Sequence, residues 1–207
     1  MGLSAAELFD LLGKDYETAF ADFDVQREEL EWLLDELPAG AKVLDIGSGT
    51  GRPTAALLAA AGHEVTGYDV SPRMVEIARE QVPTARFEVA DLRTLTLPEQ
   101  SWDAVIAFYP LLQLTRAEID AALARFAGWL KPGGLFLMAT VPVDAENVEV
   151  EFLGQTAAGV SSYPQDVFRQ RLTDLGLDVV RERMAEFVPN HMEAGPEVDL
   201  FLAARKA

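Results

Sequence analysis

VLDIGSGTGRP, residues 43–53, decides the fold of this chain. An apolar run over residues 42–46 predicts a short strand. Gly47, Gly49 and Gly51 then form a turn, and a helical stretch follows over residues 53–61. Glycines at such a turn let the backbone bend sharply and leave no Cβ between it and a ligand. The stretch therefore predicts the start of a strand–turn–helix unit with a ligand above its turn.

The pattern of short apolar runs alternating with helical stretches continues along the chain. This alternation is typical of an α/β fold in which a mostly parallel sheet has helices on both faces. We expect one Rossmann-like, doubly wound domain over residues 1–207, with an antiparallel last strand. Further strands are predicted at 64–68, 86–89, 103–109, 135–141, 179–187 and 198–204, and helices at 71–83, 115–130 and 164–175.

The N-terminal region, residues 1–37, is predicted to be a helical lid on a core formed by residues 38–207. Leu8, Leu11 and Leu12 are expected on one helix face, and a second leucine face is predicted over residues 30–37. Ser71 is predicted as an N-cap, and Thr115 with Glu118 as a capping box. Residues 142–163 show no clear periodicity and are expected to be an irregular functional loop.

The composition restricts the possible partners and chemistry. A formal net charge of −17 and a sequence pI of about 4.4 disfavour nucleic acid and anionic membranes as partners. The chain contains no cysteine, which excludes disulfides, thiol catalysis and cysteine-ligated zinc, and we expect no metal site. The acidic N-terminus does not resemble a signal peptide. The interpretation is a soluble, cytoplasmic protein, monomeric or homodimeric, with a small-molecule substrate.

The chemistry of the ligand follows from two aspartates. Asp69 ends the second predicted strand about 20 residues after the turn, where a carboxylate can accept hydrogen bonds from ribose hydroxyls. The glycine spacing is G-x-G-x-G, whereas dinucleotide folds seat a pyrophosphate on G-x-G-x-x-G. Asp45 would repel a pyrophosphate but suits a cationic amino-acid tail. S-adenosylmethionine has such a tail and no phosphate.

The chain resembles the class I S-adenosylmethionine-dependent methyltransferases in five segments that follow the family's order. They are VLDIGSGTGRP at 43–53, GYDVSPRMVEIAR at 67–79, FEVADLRTL at 87–95, WDAVIAFYPLLQL at 102–114 and LKPGGLFLMAT at 130–140. The resemblance implies that the protein binds S-adenosylmethionine, transfers its methyl group to a small-molecule nucleophile, and leaves S-adenosylhomocysteine as product.

The resemblance also implies a set of cofactor-binding residues. The methionine end would meet the turn and the backbone after the fourth strand, the ribose would meet the end of the second strand, and the adenine would meet the segment after the third. Met74 would pack on the adenine, and Tyr16 would cap the cofactor. The implied residues are Tyr16, Asp45, Gly47, Ser48, Gly49, Gly51, Asp69, Val70, Met74, Asp91, Leu92, Phe108 and the Tyr109 backbone.

Three of these residues have plain structural alternatives. Met74 on a helix is a common core residue, because methionine packs adaptably in apolar surroundings. Asp91 is also typical of a turn or cap. Tyr16 could equally be an ordinary packed aromatic side chain.

The residues that would act on the substrate are few. Residues 107–110 read AFYP instead of the Asn/Asp-Pro-Pro-aromatic run of enzymes that methylate base amines, and the following turn has no histidine. His63 precedes the second strand, at the wrong end of the sheet for chemistry. His191, in the loop before the last strand, is the candidate base or substrate contact, with Glu193 and Glu197 in the same loop. Tyr109 is a second candidate proton acceptor.

Three alternative functions stay open. A nicotinamide-dependent oxidoreductase shares the turn and the ribose carboxylate, although the glycine spacing and Asp45 disfavour it. An S-adenosylmethionine-binding enzyme could catalyse cyclisation or elimination in the same pocket, since chemistry depends on the site and not on the fold. A regulatory protein could bind the cofactor without turnover. The alanine-rich composition, with more arginine than lysine, indicates a GC-rich bacterial genome.

Overall fold

The computed structural model describes residues 2–21 and 23–207. Met1 and Asp22, which belong to the predicted N-terminal region, lie outside the described residues. In the described chain no helix has both the length and the apolar character needed to cross a bilayer. The helices are α1 (Ala5–Leu12), α2 (Lys14–Ala19), α3 (Asp24–Glu36), α4 (Thr54–Ala60), α5 (Pro72–Gln81), α6 (Arg116–Trp129) and α7 (Gln165–Asp174). The strands are β1 (Lys42–Ile46), β2 (Glu64–Asp69), β3 (Arg86–Val89), β4 (Trp102–Phe108), β5 (Leu130–Thr140), β6 (Ala145–Phe152), β7 (Gln155–Ser162), β8 (Leu177–Phe187) and β9 (Glu197–Lys206).

Seven strands form one sheet in the order β3-β2-β1-β4-β5-β9-β8. The pairs among β1 to β5 are parallel, whereas β9 lies antiparallel between β5 and β8. This confirms the predicted mostly parallel sheet with an antiparallel last strand. The strand order reverses between β1 and β4, and ligands of open α/β sheets bind at such a reversal, beyond the carboxyl ends of the strands. We call this side of the sheet the ligand edge.

Apolar layers cover both faces of the sheet. On one face Phe126 of α6 and Phe168 of α7 pack in a fully buried cluster with residues of β4 and β5. On the other face Leu30 of α3 and Val75 of α5 pack in a second cluster. Strands buried on both faces have continuous apolar sequences, and for this reason the sequence predicts a strand at residues 103–109.

Both predicted helix starts are confirmed. The Ser71 hydroxyl accepts a hydrogen bond of 3.0 Å from the Met74 amide at the start of α5. At the start of α6 the Thr115 hydroxyl accepts from the Glu118 amide, and the Glu118 carboxylate accepts from the Thr115 amide at 2.8 Å. Each cap satisfies amides that would otherwise lack a partner in the first helical turn.

The N-terminal region is helical as predicted, but the prediction that Leu11 shares the buried face of α1 is wrong. Leu8 and Leu12, four residues apart in α1, are buried, whereas Leu11 is 61% exposed. Leu11 is rotated by about 100° from Leu12 around the helix axis and so lies outside the stripe that Leu8 and Leu12 bury. The helix ends at Gly13, and glycine fits that position, where φ is 49°.

Residues 142–163 are not irregular, which corrects the expectation of a long loop. They contain β6 and β7, an antiparallel hairpin whose turn residues Leu153 and Gly154 have φ of 49° and 76°. Val148, Val150 and Phe152 alternate with acidic residues along β6, a period-2 signal typical of a strand.

The hairpin packs with the N-terminal helices in a small third core. Its buried members include Leu8, Leu12 and Ala19 from the helices and Leu153 and Ala157 from the hairpin. The backbone of Leu3 also pairs with β7, accepting from the Ala158 amide at 3.0 Å and donating to the Thr156 carbonyl at 2.8 Å. We call α1, α2 and the β6–β7 hairpin the cap layer.

Candidate active site

The glycine-rich turn after β1 is tied to the end of β2. The amides of Gly47 and Ser48 both donate to the Tyr68 carbonyl, at 2.7 and 3.1 Å. Gly47, Gly49 and Gly51 all have positive φ, between 51° and 79°, a region that side chains with a Cβ rarely occupy. The turn therefore requires glycine at all three positions on backbone grounds.

Only one of the three glycines faces open space. A Cβ on Gly47 would lie 2.6 Å from Cβ of Pro110, and one on Gly51 would crowd Phe87 at 3.1 Å. A Cβ on Gly49 would meet no heavy atom within 4 Å. This corrects the expectation that all three glycines leave room for a ligand: Gly47 and Gly51 allow close packing within the protein, and Gly49 leaves the space above the turn free.

Asp45 lies on β1 just before this turn and is 2% exposed. Its Oδ2 atom has no hydrogen-bond partner. Burial, with a smaller effect from the nearby Asp69 carboxylate, raises the pKa of Asp45 to about 7. A buried carboxylate oxygen without a donor is costly unless a ligand supplies one.

Asp69 ends β2 beside the same turn. Its Oδ2 accepts a hydrogen bond of 2.8 Å from the Gly49 amide, and its Oδ1 accepts one of 2.9 Å from the Ser71 amide. Burial raises the pKa of Asp69, and the two amide donors partly oppose that rise. The bonds fix the carboxylate at the ligand edge, next to the free space above Gly49.

A third aspartate, Asp10 of α1, joins the cap layer to this region. Its Oδ1 accepts from the Ser71 hydroxyl at 2.5 Å and from the Arg73 amide at 3.1 Å. Sequence reasoning missed this contact, because nothing in the sequence indicates that residues 61 positions apart meet.

The turn after β4 holds Tyr109 in an unusual conformation. Its φ is 67°, and its amide donates to the Ala139 carbonyl of β5 at 2.9 Å. Its phenol donates a hydrogen bond of 2.9 Å to Oδ1 of Asp199 on β9. Phe108, the last residue of β4, is buried, and its ring contacts Phe201 edge-on.

Asp199 is fully buried and was not singled out from the sequence. Its Oδ2 has no hydrogen-bond partner, and neither does the buried hydroxyl of Thr140 at the end of β5. Burial raises the pKa of Asp199 to about 6, against the opposing effect of the Tyr109 bond. The available signal was a lone acidic residue inside the apolar run of residues 198–204.

Glu197, the first residue of β9, lies near Asp199. Burial, with the Asp199 charge, raises the pKa of Glu197 to about 7. Because β9 runs antiparallel to β5, its first residues lie at the edge where the parallel strands end. The ligand edge thus has one acidic group on β1 and β2 and another at the start of β9.

Tyr16 lies near carboxylates of both groups. Burial raises the pKa of its phenol, and the carboxylates of Glu197, Asp69 and Asp199 raise it further. Its ring packs edge-on against Phe9 and at 4.9 Å from the Phe20 ring. Tyr16 is therefore both a packed aromatic of the cap layer and a neighbour of the ligand edge.

The residues expected around an adenine lie at the same edge. Asp91 accepts hydrogen bonds from the Arg93 amide and guanidinium, which lower the pKa of Asp91. Val70 and Leu92 are half-buried. Met74 is 1% exposed, as a core residue would be. Adenine contacts for Asp91, Leu92 and Met74 stay predictions.

The two histidines lie at opposite ends of the sheet. Nδ1 of His63 accepts from the Ala41 amide at 3.1 Å, before β1, in a purely structural bond. His191 is partly exposed in the loop between β8 and β9, and its Nδ1 accepts from the Glu193 amide at 3.2 Å. The loop is tied to α2 by the Asn190 amide, which donates to the Ala19 carbonyl at 2.7 Å. Catalytic roles for His191 and Tyr109 stay predictions.

Comparison with known proteins agrees with this geometry. Residues 43–134 match the family model described as methyltransferase domain. An uncharacterized methyltransferase of Bacillus licheniformis is 33% identical over 146 residues, which cover 67% of this chain and 68% of the relative. Fold and ligand edge define a class I S-adenosylmethionine-dependent methyltransferase.

The chain belongs to this family, and its cofactor is S-adenosylmethionine. It spans 85% of an uncharacterized methyltransferase of Anoxybacillus flavithermus, at 25% identity over 182 residues. It spans only 40% of the demethylmenaquinone methyltransferase of Tropheryma whipplei, at 40% identity over 100 residues. The second match covers less than half of that enzyme's length.

Solved structures show the same fold. A Methanosarcina mazei methyltransferase aligns with a TM-score of 0.74 at 18% identity, covering 84% of this chain and 96% of that chain. The 1,6-didemethyltoxoflavin-N1-methyltransferase of Burkholderia thailandensis, solved with S-adenosylhomocysteine, aligns with a TM-score of 0.71 at 22% identity, covering 96% and 85%. The [4+2]-cyclase SpnF also aligns, with a TM-score of 0.64 at 19% identity, covering 86% and 80%. Fold likeness alone therefore does not define the reaction.

Proposed function

We propose that the methyl acceptor is a small molecule that binds between the cap layer and the start of β9. The observation that supports it best is the pairing of two acidic groups at one ligand edge. Asp45 and Asp69 adjoin the free space above Gly49 and suit the cofactor. Glu197 and Asp199 lie on β9, which β4 and β5 separate from β1 in the sheet.

The cofactor fits the first group on chemical grounds. The unpartnered Oδ2 of Asp45 can accept from the cationic amino group of a methionine tail, directly or through water. Asp69 has lone pairs left for ribose hydroxyls after accepting from two amides. Ser48 has a buried hydroxyl without a partner, which can also bind the tail.

The work of the protein is mainly to orient the acceptor and exclude water. Bound S-adenosylmethionine supplies a methyl group already activated by its sulfonium. Tyr16, Phe20 and Phe152 form an aromatic surface of the cap layer that can shield the acceptor from solvent. Alignment of the nucleophile then gives the rate advantage of a unimolecular step.

Tyr109 fits a positioning role better than that of a proton acceptor. Its phenol already donates to Asp199, and burial with the Asp199 charge raises its pKa well above 10. A phenol in that state has almost no phenolate at neutral pH. His191 is retained as a substrate contact in the proposal, since its loop borders the cap layer.

The cofactor assignment is tested by thermal shift and calorimetry. S-adenosylhomocysteine is expected to raise the melting temperature and NAD to leave it unchanged, because only a ligand of the native state stabilises it. Stabilisation by NAD alone would favour the oxidoreductase. The acceptor class is tested with radiolabelled S-adenosylmethionine and a bacterial extract split by ultrafiltration. Label in the low-molecular-weight fraction supports the proposal, and label confined to protein or nucleic acid contradicts it.

We further propose a bacterial, cytoplasmic enzyme that acts as a monomer or homodimer without a nucleic-acid or membrane partner. The composition supports this, because a net charge of −17 repels phosphate backbones and anionic lipid surfaces. Light scattering on the purified protein measures the oligomeric state, and a mass above that of a dimer would contradict the proposal.

A further inference from the structure

The start of β9 presents two carboxylates that the cofactor does not require. Asp199 is fully buried, with Oδ1 bonded to Tyr109 and Oδ2 without a partner. Glu197, two residues earlier and on the same side of the strand, is close enough for the Asp199 charge to raise the pKa of Glu197.

Glu197 and Asp199 lie at the part of the ligand edge where we expect the methyl acceptor to bind. Leu200 pairs with Thr140, so Asp199 lies just beyond the last paired residue of β5. Strands β4 and β5 separate β9 from β1 in the sheet, and Tyr16 of the cap layer lies near Asp69 as well as near Glu197 and Asp199. A molecule bound next to the cofactor would therefore meet Glu197 and Asp199.

The charge of the pair is not compensated within the protein. In residues 2–21 and 23–207, no Lys, Arg or His side chain forms an ion pair or hydrogen bond with Glu197 or Asp199. Neighbouring arginines are paired elsewhere, Arg181 with Glu29 and Arg183 with Glu28. Burial therefore raises the pKa of both carboxyls, to about 7 for Glu197 and about 6 for Asp199. A cationic ligand would remove this cost.

An organic cation fits the pair better than a metal ion. Within the described part of the chain no three histidine or carboxylate side chains converge closely enough to hold a metal. An ammonium group needs only a few acceptors, and Oδ2 of Asp199 together with the Glu197 carboxylate supplies them.

We propose that the methyl acceptor is the nitrogen of a small-molecule amine, bound as its ammonium form by Asp199 and Glu197. The inference rests on the proposed small-molecule methyl transfer and specifies its substrate class. It makes the first residues of β9 the determinant of acceptor specificity.

The same carboxylates account for the proton that the reaction must move. An ammonium has no lone pair, so one proton passes from the nitrogen to a carboxylate, which gives a neutral amine and a carboxylic acid. The nitrogen lone pair then forms the N–C bond, and the electron pair of the S–C bond stays on sulfur. The product is a methylated ammonium with S-adenosylhomocysteine, and the carboxylic acid returns its proton to solvent when the product leaves.

The test uses calorimetry on the protein saturated with S-adenosylhomocysteine. The ligands are a panel of primary and secondary amines, each matched to the alcohol and the carboxylic acid with the same carbon skeleton. We expect the best amines to bind at least about tenfold more tightly than their alcohols, because an ion pair with a buried carboxylate is strongly favourable. The acids should not bind.

Two variants connect the selectivity to the pair. Asp199→Asn and Glu197→Gln should each reduce amine affinity by about tenfold or more and leave S-adenosylhomocysteine affinity unchanged. Glu186→Gln is the matched control, because Glu186 is exposed on β8 and pairs with Val198, whose side chain lies on the opposite face from Asp199. It should keep the wild-type affinities.

Each other result overturns the inference. Alcohols binding as tightly as amines, no amine binding, or unchanged amine affinity in Asp199→Asn would show that the pair does not select a cation. Loss of S-adenosylhomocysteine affinity in Asp199→Asn would assign the pair to the cofactor. A wild-type protein that fails to bind S-adenosylhomocysteine at all would instead refute the proposed function.

Discussion

The phenol of Tyr109 donates a hydrogen bond of 2.9 Å to Oδ1 of Asp199, a residue 90 positions later in the chain. The bond joins the turn after β4 to the start of β9 across the end of β5. Tyr109 has φ of 67°, which costs free energy for a residue with a side chain. The bond is one of the contacts that hold Tyr109 in this conformation.

Tyr109→Phe should therefore lower the free energy of unfolding by about 1 to 3 kcal/mol, because it leaves a second buried oxygen of Asp199 without a donor. Denaturant titration measures the change. Tyr163→Phe is the control, since its phenol donates at 3.2 Å to the more exposed Asp120. An equal loss of unfolding free energy in both variants would show that the Tyr109–Asp199 bond stabilises the fold no more than the Tyr163–Asp120 bond does.

Asp69→Ala should weaken S-adenosylhomocysteine binding by about 1 to 3 kcal/mol, because buried ribose hydroxyls would lose a charged acceptor. Calorimetry measures the affinity. Asp103→Asn, at the opposite end of the sheet, removes a carboxylate that accepts from Lys131 and the Lys42 amide and should leave the affinity unchanged. Unchanged affinity in Asp69→Ala would show that the ribose binds elsewhere.

Substitutions at the turn glycines should distinguish an effect on cofactor binding from an effect on folding stability. Gly49→Val adds a side chain in free space and should abolish cofactor binding by filling the ligand position, beyond the cost of about 1 to 2 kcal/mol for positive φ. Gly47→Ala places a Cβ 2.6 Å from Pro110 and should reduce the melting temperature more than Gly49→Ala does. Cofactor affinity at the wild-type level in a folded Gly49→Val protein would contradict the assignment.

Asp45 should make stability and cofactor affinity depend on pH in opposite directions. Its pKa is raised from 3.8 to about 7 in the folded protein. Its contribution to stability is therefore complete below pH 3.8 and is lost as pH rises through 7. This shift in the pKa of Asp45 corresponds to at most about 4 kcal/mol in the free energy of unfolding.

Asp45→Asn should accordingly stabilise the ligand-free protein at pH 8, measured by its melting temperature. In the wild type, affinity for S-adenosylmethionine should rise from pH 6 to 8, since the cationic tail needs the carboxylate. The variant should lose most of this rise. An identical pH dependence of affinity in wild type and variant would exclude Asp45 as the partner of the tail.

His191→Ala should leave cofactor affinity nearly intact and raise the Michaelis constant for the acceptor, because we expect a substrate contact. A general base would instead give a rate loss of about 10²-fold to 10⁴-fold and a changed pH profile. Steady-state kinetics over a pH series distinguish the two. The wild-type rate and Michaelis constant in the variant would remove His191 from both roles.

The core and the glycine-turn part of the ligand edge could be predicted from the sequence, because the patterns that indicate them involve residues close together in the chain. The strand at Lys42–Ile46, the glycine turn and the Ser71 cap each depend on neighbouring residues, and the structure confirms them. Asp69 could be singled out because its distance from the turn corresponds to one helix and one strand.

The acceptor side was not predictable to the same degree because it depends on distant contacts. Asp199 reaches Tyr109, 90 positions earlier in the chain, only when β9 pairs with β5. Asp10 meets Ser71 only after α1 docks on the sheet. The β6–β7 hairpin was missed for another reason: its weak alternation was outweighed by the absence of a long apolar run.

The antiparallel insertion of β9 between β5 and β8 also sets an order of assembly. Most of the residues expected to bind the cofactor lie within residues 45–92, on or next to strands that are near neighbours in the chain. The acceptor part of the site also needs β9, the last strand of the sheet in sequence, to pair with β5 far earlier in the chain. Closing such long loops is slow. A folding chain would thus acquire the ability to hold the methyl donor before the ability to select what is methylated.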